Sequence, residues 1–218
     1  WYGFDHVVAA RMHACEYHAG GHYGIWMEEK GLANWRDFFE DWPPNPEKQR
    51  RLRGRRTWDL PQEFHYNAWT SERTIAQIRE AAGQGSPFFV WSSFHDPHPP
   101  YLVPEPWASM YRSEDMVPGR LRPGEHDANP EHFRRTQEQG HDWWQRACDG
   151  EGAVHGGHSH LCDEEELKKD IACYWGMVSF MDEHIGRILA ELDRSGLAEN
   201  TIVVFSTDHG HFLGQHGL

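Results

Sequence analysis

Two strand-sized apolar runs, PFFVWSSF at 87–94 and TIVVFST at 201–207, stand on either side of one long helical pattern. The pattern opens at Asp163, a side chain suited to accept hydrogen bonds from the free amides of a first turn. Glu164, Glu165 and Glu166 follow, where the helix dipole favours negative charge. Apolar residues such as Leu167, Ile171, Tyr174, Val178, Ile185, Ile188 and Leu192 then recur at three-and-four spacing until Ser195-Gly196 closes the stretch. A short continuous apolar run between turn residues reads as a strand buried on both faces. Strand, connection with helix, strand predicts a parallel α/β crossover. The C-terminal ends of two parallel strands share one sheet edge. HDPHPP after the first and DHGH after the second are therefore expected to face one crevice, where open α/β sheets bind ligands.

Upstream, the first 60 residues are rich in Trp, Gly and Pro and predict only short helical patches. One covers 25–30 and stops at Gly31; another covers 35–42 and stops at Pro43-Pro44. TSERTIAQIREAA, 70–82, predicts a helix with Thr70 or Ser71 as its cap and Gly83 beyond its end. Residues 101–160 are loop-like, and a segment of that length reads as a binding loop or lid. The expected organisation is a single partial catalytic domain over 1–218. An irregular or helical peripheral segment, 1–60, precedes a sheet-and-helix core, 61–218, that carries the long loop 101–160. The chain starts at Trp1 without an initiator Met, and both ends read as cut from a longer protein.

Bulk properties narrow the partners. A formal net charge of −13 argues against nucleic acid. No apolar run reaches membrane-spanning length. Cys15, Cys148, Cys162 and Cys173 are widely spaced with no CxxC pair, so buried free thiols are expected rather than disulfides or a thiolate zinc site. The arginine run Arg50, Arg51, Arg53, Arg55 and Arg56 reads as a solvated loop, with contact to an anionic substrate as the alternative.

Three groups carry candidate chemistry. Asp208-His209-Gly210 leaves the second apolar run with a hard anionic oxygen, a neutral nitrogen and a residue that permits a tight turn, which is half of a divalent-cation site. The bland alternative is a turn-capping Asp beside a solvated His. His98, between Pro97 and Pro99-Pro100, is rigidly held and suits proton transfer or contact with an anion, or is simply a surface residue of a proline-rich loop. His95 and Asp96 read as a local structural pair. His155, His158 and His160 in VHGGHSH serve either as site residues or as flexible loop.

Taken together, PFFVWSSFHDPHPPYLVPEPWASMY and MDEHIGRILAELDRSGLAENTIVVFSTDHGHFLGQHGL strongly resemble the sulfatase family of the alkaline-phosphatase superfamily. The match covers roughly residues 60–218 and is weakest at 112–160. The resemblance implies an α/β fold, alkaline-phosphatase-like, with a large, mostly parallel mixed sheet and helices on both faces. It implies a divalent metal held by Asp208 and His209, with calcium the expected ion and manganese the alternative. It implies His98 as the histidine that contacts the sulfate and helps protonate the departing alcohol. His158 and His160, from the VHGGHSH stretch itself, which could also bind a metal, are taken as substrate-binding candidates. His211 and Gln215 stand where acidic residues are common, and neither is assigned as a ligand.

The family's nucleophile is a formylglycine made by a maturation enzyme from a Cys or Ser in a Cys/Ser-x-Pro/Ala-x-Arg signature. None of the four cysteines lies in that signature, so the nucleophile is expected upstream of this chain. The implied activity is hydrolysis of a small-molecule or saccharide sulfate ester. His209, where Asn is frequent, keeps a phosphonate or phosphate ester hydrolase open, and a non-catalytic anion binder is the remaining alternative.

Overall fold

The computed structural model describes residues 3–10, 19–41, 45, 47–48, 56–130, 133 and 163–217. They fall into two compact units. The first joins Trp1–Met110 with Cys173–Val204, and the second joins Tyr111–Ala172 with Phe205–Leu218.

Three helices order the described residues: α1, His22–Glu29; α2, Tyr66–Gln84; and α3, Glu164–Arg194. α3 starts as its sequence predicts, with Asp163 Oδ1 accepting from the amides of Glu165 at 3.0 Å and Glu166 at 3.2 Å. It ends as predicted too. The Leu197 amide donates to Leu192 O at 2.9 Å across Gly196, whose φ of 69° costs a glycine little.

α2 departs from expectation at both ends. Thr70 and Ser71 lie buried inside the helix, and the cap is His65, whose Nδ1 accepts from the Asn67 amide at 3.1 Å. Gly83 is helical, and Gly85, with φ 62°, makes the stop. The cap was misplaced because Thr70 and Ser71 do hold local backbone bonds, but within the helix. Ser71 Oγ donates to Ala68 O at 3.0 Å, and Thr70 O receives Thr74 Oγ1 at 2.9 Å.

The core of the first unit is aromatic. Tyr23, Trp26 and Met27 of α1 meet Trp35, Phe39, Trp58, Leu60, Tyr66, Trp69 and Leu102. Edge-to-face contacts at 5.6 Å for Trp35–Phe39 and 5.2 Å for Phe39–Trp58 suit ring quadrupoles. The polar tips are satisfied: Tyr23 O–H donates to Phe64 O at 2.6 Å and Trp58 Nε1–H to Phe38 O at 2.7 Å. The helical patch at 35–42 proves to be a single 3-10 turn, Trp35–Phe38.

The two apolar runs do not form the expected buried strands. Among the described residues there is no strand, and Thr57 and Val103 form an isolated parallel bridge. Residues 87–94 alternate, with Phe89 71% and Trp91 74% exposed while Phe88, Val90 and Ser92 are half-buried. The half-buried side packs on α2, where Thr74 Oγ1 meets Ser92 Oγ at 2.8 Å. Ile202, Val204 and Phe205 are more exposed still. An apolar run states what burial it favours but not what buries it, and no ladder partner for either run is present among the described residues.

α3 packs against the loop 103–109 at Gly176, where the Trp107 carbonyl occupies the space a Cβ would take. Phe180, one turn on, stacks on the Trp107 ring at 5.4 Å. Gly176→Ala is therefore expected to destabilise the protein by about 1–3 kcal/mol, since backbone must move to admit the methyl. Urea unfolding checks this, and a midpoint equal to wild type would show that the approach is looser.

Candidate active site

The turn after the first run carries His98. The His98 amide donates to His95 O at 3.1 Å. Nδ1 lies 2.5 Å from Pro99 O, and because a carbonyl only accepts, Nδ1 carries the proton. Proton exchange with a ligand then falls to Nε2. The His98 ring is exposed and lies 4.7 Å from that of His95.

Beneath it sits a group whose role the sequence did not disclose. Asp96 is buried and is bonded to neither neighbour in the turn. Tyr66 O–H donates to one carboxylate oxygen, and Asn67 Nδ2–H donates to the other at 2.6 Å. Both donors belong to the first turn of α2. Burial holds the Tyr66 hydroxyl in its protonated, donating form. Burial also pushes the Asp96 carboxyl up to about 7, against the pull of the Tyr66 and Asn67 hydrogen bonds. Asn67 Oδ1 has no partner, so rotating that amide would offer an acceptor to a protonated Asp96.

The sign for stability follows from the raised value. The folded chain binds the Asp96 proton more tightly than the unfolded chain, whose ordinary value is 3.8. This contribution is present in full below about pH 4 and is lost as pH rises through about 7. Asp96→Asn, neutral at every pH, is expected to keep more of its stability than wild type between pH 5 and pH 8 in paired urea titrations. Parallel pH profiles would contradict the linkage.

In the second unit, Asp208 and His209 form a local pair. The His209 amide donates to Asp208 Oδ1 at 2.9 Å, which holds the carboxyl below its usual range. His209 Nδ1–H donates to Gly210 O at 2.8 Å, leaving the Nε2 lone pair on the carboxylate side. Nε2 and Asp208 Oδ2 stand 3.6 Å apart, with side chains 73% and 86% exposed. That separation is one that two ligands of a single cation, each about 2.0–2.6 Å from the ion, can span. The pair fits as part of a ligand set. Among the described residues no cluster of three or more His, Cys, Asp or Glu could hold a metal by itself.

The loop beyond is pinned by histidines acting structurally. The His216 amide donates to Arg120 O at 3.2 Å, and His126 Nε2–H donates to His216 O at 2.6 Å. His216 Nδ1 pairs with Glu125 Oε1 at 2.5 Å, and His211 Nδ1 accepts from the Leu213 amide at 3.2 Å.

His98 thus belongs to the first unit, and Asp208 and His209 to the second. His155, His158 and His160, most of the arginine run, and Cys15, Cys148 and Cys162 lie outside the described residues. Cys173 is a buried free thiol whose Sγ–H donates to Arg56 O at 3.5 Å. A cleft of about 520 Å³ in the first unit is lined by Thr57, Trp58, Glu105, Phe180, His184 and Arg187 among others, and none of the predicted site residues reaches it. Burial and the nearby Arg187 lower His184 in its wall to about 4, and its Nδ1 faces Ser71 Oγ at 2.9 Å.

These residues sit in a chain that belongs to the sulfatase family, whose model matches residues 16–218. A multifunctional alkaline phosphatase superfamily protein, PehA of Trinickia caryophylli, is 28% identical over 91% of this chain and 37% of its own length. An arylsulfatase of Clostridium perfringens is 29% identical over 74% of this chain and 30% of its own. The chain thus spans about a third of the length of these curated relatives. Among solved structures, the phosphonate monoester hydrolase of Agrobacterium radiobacter superposes with a TM-score of 0.66 at 23% identity, over 90% of this chain and 37% of that one. That likeness shows the fold, although the sheet expected from the sequence is not expressed as strands among the described residues.

Proposed function

We propose that the protein hydrolyses sulfate esters, with His98 as the acid at the leaving oxygen and with Asp208 and His209 holding a divalent cation. The observation that supports the reading is that each apolar run is followed, at its C-terminal end, by a group able to carry this chemistry. One is a histidine fixed through Nδ1; the other is a carboxylate–imidazole pair with adjacent donor atoms. A cation bound there supplies positive charge against the oxygens of the ester's anionic group. Asp208 would offer the hard oxygen that calcium takes, and the His209 imidazole weighs toward manganese instead. In its imidazolium form, with Nδ1–H held on Pro99 O, His98 would orient the ester oxygen and give up its Nε2 proton to it as the alcohol departs, leaving the neutral Nδ1–H ring. This matters most when the alcohol is a poor leaving group.

Cys173 is no part of this chemistry, being buried with its thiol on a carbonyl. In this reading the nucleophile is a formylglycine, the product of a maturation enzyme, and lies outside residues 1–218. The substrate is a small-molecule or saccharide sulfate ester.

A second reading, phosphonate or phosphate ester hydrolysis, is favoured by His209 and by the likeness to a phosphonate monoester hydrolase. Rates on a sulfate, a phosphonate and a phosphate ester of one phenol, measured on the same preparation, separate the two. A kcat/KM highest for the sulfate supports the first reading, and one highest for a phosphorus ester replaces it.

A further inference from the structure

We propose that Asp96 is a positioning residue for His98, anchoring the turn at 95–100 to the first turn of α2 through Tyr66 and Asn67. The inference rests on the reading of His98 as the acid.

A turn that aims an imidazole must itself be held to the framework. The His98 amide bond to His95 and the Nδ1 bond to Pro99 both stay within the turn. Asp96 ties it to the framework, across 29 residues to Asn67 and 30 to Tyr66. Each carboxylate oxygen takes one donor from consecutive residues of a helix, so displacement in either direction along that face lengthens one bond. The helix end is itself fixed, because His65 is fully buried, caps it at Nδ1 and packs on Phe180 of α3 at 4.9 Å. Packing follows the same route: Tyr66 meets the His95 ring edge-on at 5.6 Å, and His95 meets His98 at 4.7 Å. Only Pro97, with little backbone freedom, separates the anchored residue from the aimed one. Constraint therefore passes from the packed helix to the imidazole through one short, stiff segment.

Misplacing a catalytic group by about 1 Å costs up to about a hundredfold in rate, so loss of the anchor should be read at His98 rather than in overall stability alone. The test uses the active protein carrying Asp96→Ala, with Tyr66→Phe as the milder variant should the first not fold. The substrates are an activated 4-nitrophenyl ester and an unactivated alkyl ester of the preferred oxyanion. The expected result is a loss of about tenfold or more in kcat on the alkyl ester with KM nearly unchanged, and a small effect on the 4-nitrophenyl ester. In a His98→Ala background the same substitution should add no further loss. Equal losses on both esters, or full additivity with His98→Ala, overturn the proposal and leave Asp96 a purely structural residue.

If His98→Ala alone leaves the leaving-group dependence untouched, it is the acid reading that fails. The anchor is then read from the His98 imidazole resonances in a ¹H–¹⁵N spectrum. A shift in Asp96→Ala supports anchoring, and an unchanged spectrum overturns it.

Discussion

With Asp208 as the proposed ligand, Asp208→Ala is expected to abolish divalent-cation binding and to lower kcat/KM by about a hundred- to a thousandfold, the scale of losing one preorganised electrostatic partner of the reacting group. Asp208 stands alone in charge in its part of the loop. His209 supplies a ring nitrogen, and His211 is tied to the Leu213 amide. The side chain is 86% exposed, and among the described residues it bonds to Thr207 and His209, so its removal should leave the fold intact. Circular dichroism of the variant should match wild type. Elemental analysis gives the direct readout, and an unchanged cation content would take Asp208 out of the site whatever happened to the rate. Asp208→Asn, which keeps a neutral oxygen ligand, should fall between the two.

His98→Ala should divide substrates by their leaving groups. General acid assistance contributes about a hundred- to ten-thousandfold where an alkoxide would otherwise depart, and little where a stabilised phenolate does. A large loss on an alkyl ester beside a small one on a 4-nitrophenyl ester is the expected pattern, measured as kcat under saturating substrate. Equal losses on both would reassign His98 to binding the anion. The turn should survive the change, because its amide bond from residue 98 to His95 O does not involve the imidazole.

How much of this was legible depended on the range over which each signal acts. α3 was readable nearly to the residue, because its cap, first-turn acids, apolar spacing and terminal glycine are all local. α2 was readable as a helix but not at its start, where His65 caps it with a ring nitrogen and the familiar capping hydroxyls lie four and five residues further inside. That HDPHPP and DHGH each follow an apolar run is plain from the sequence, and it is this placement that motivates the roles proposed for them. The Asp96 anchor was not, since nothing near HDPHPP announces a tyrosine and an asparagine some thirty residues earlier. The one available hint was an acidic residue inside an apolar and proline-rich stretch, which read as a partner for its neighbour His95. The strand expectation failed for a different reason. Val, Ile and Phe in sequence record a preference for burial, whereas a ladder requires a second segment in register, and that information is not in the run itself.

The uncovered run at 202–205 also sets the solution behaviour of the isolated chain. Its side chains reach 93% exposure at Ile202 and 81% at Val204, and among the described residues the run has no ladder partner, so a like segment can pair with it. Opposing that attraction is a net charge of −13, whose repulsion extends over about 30 Å at 0.01 M salt and only about 3 Å at 1 M. The chain should therefore be a charge-stabilised colloid, monodisperse in dilute buffer and increasingly associated as sodium chloride is added. Light scattering across a salt series would register this, and Val204→Lys should move its onset to higher salt.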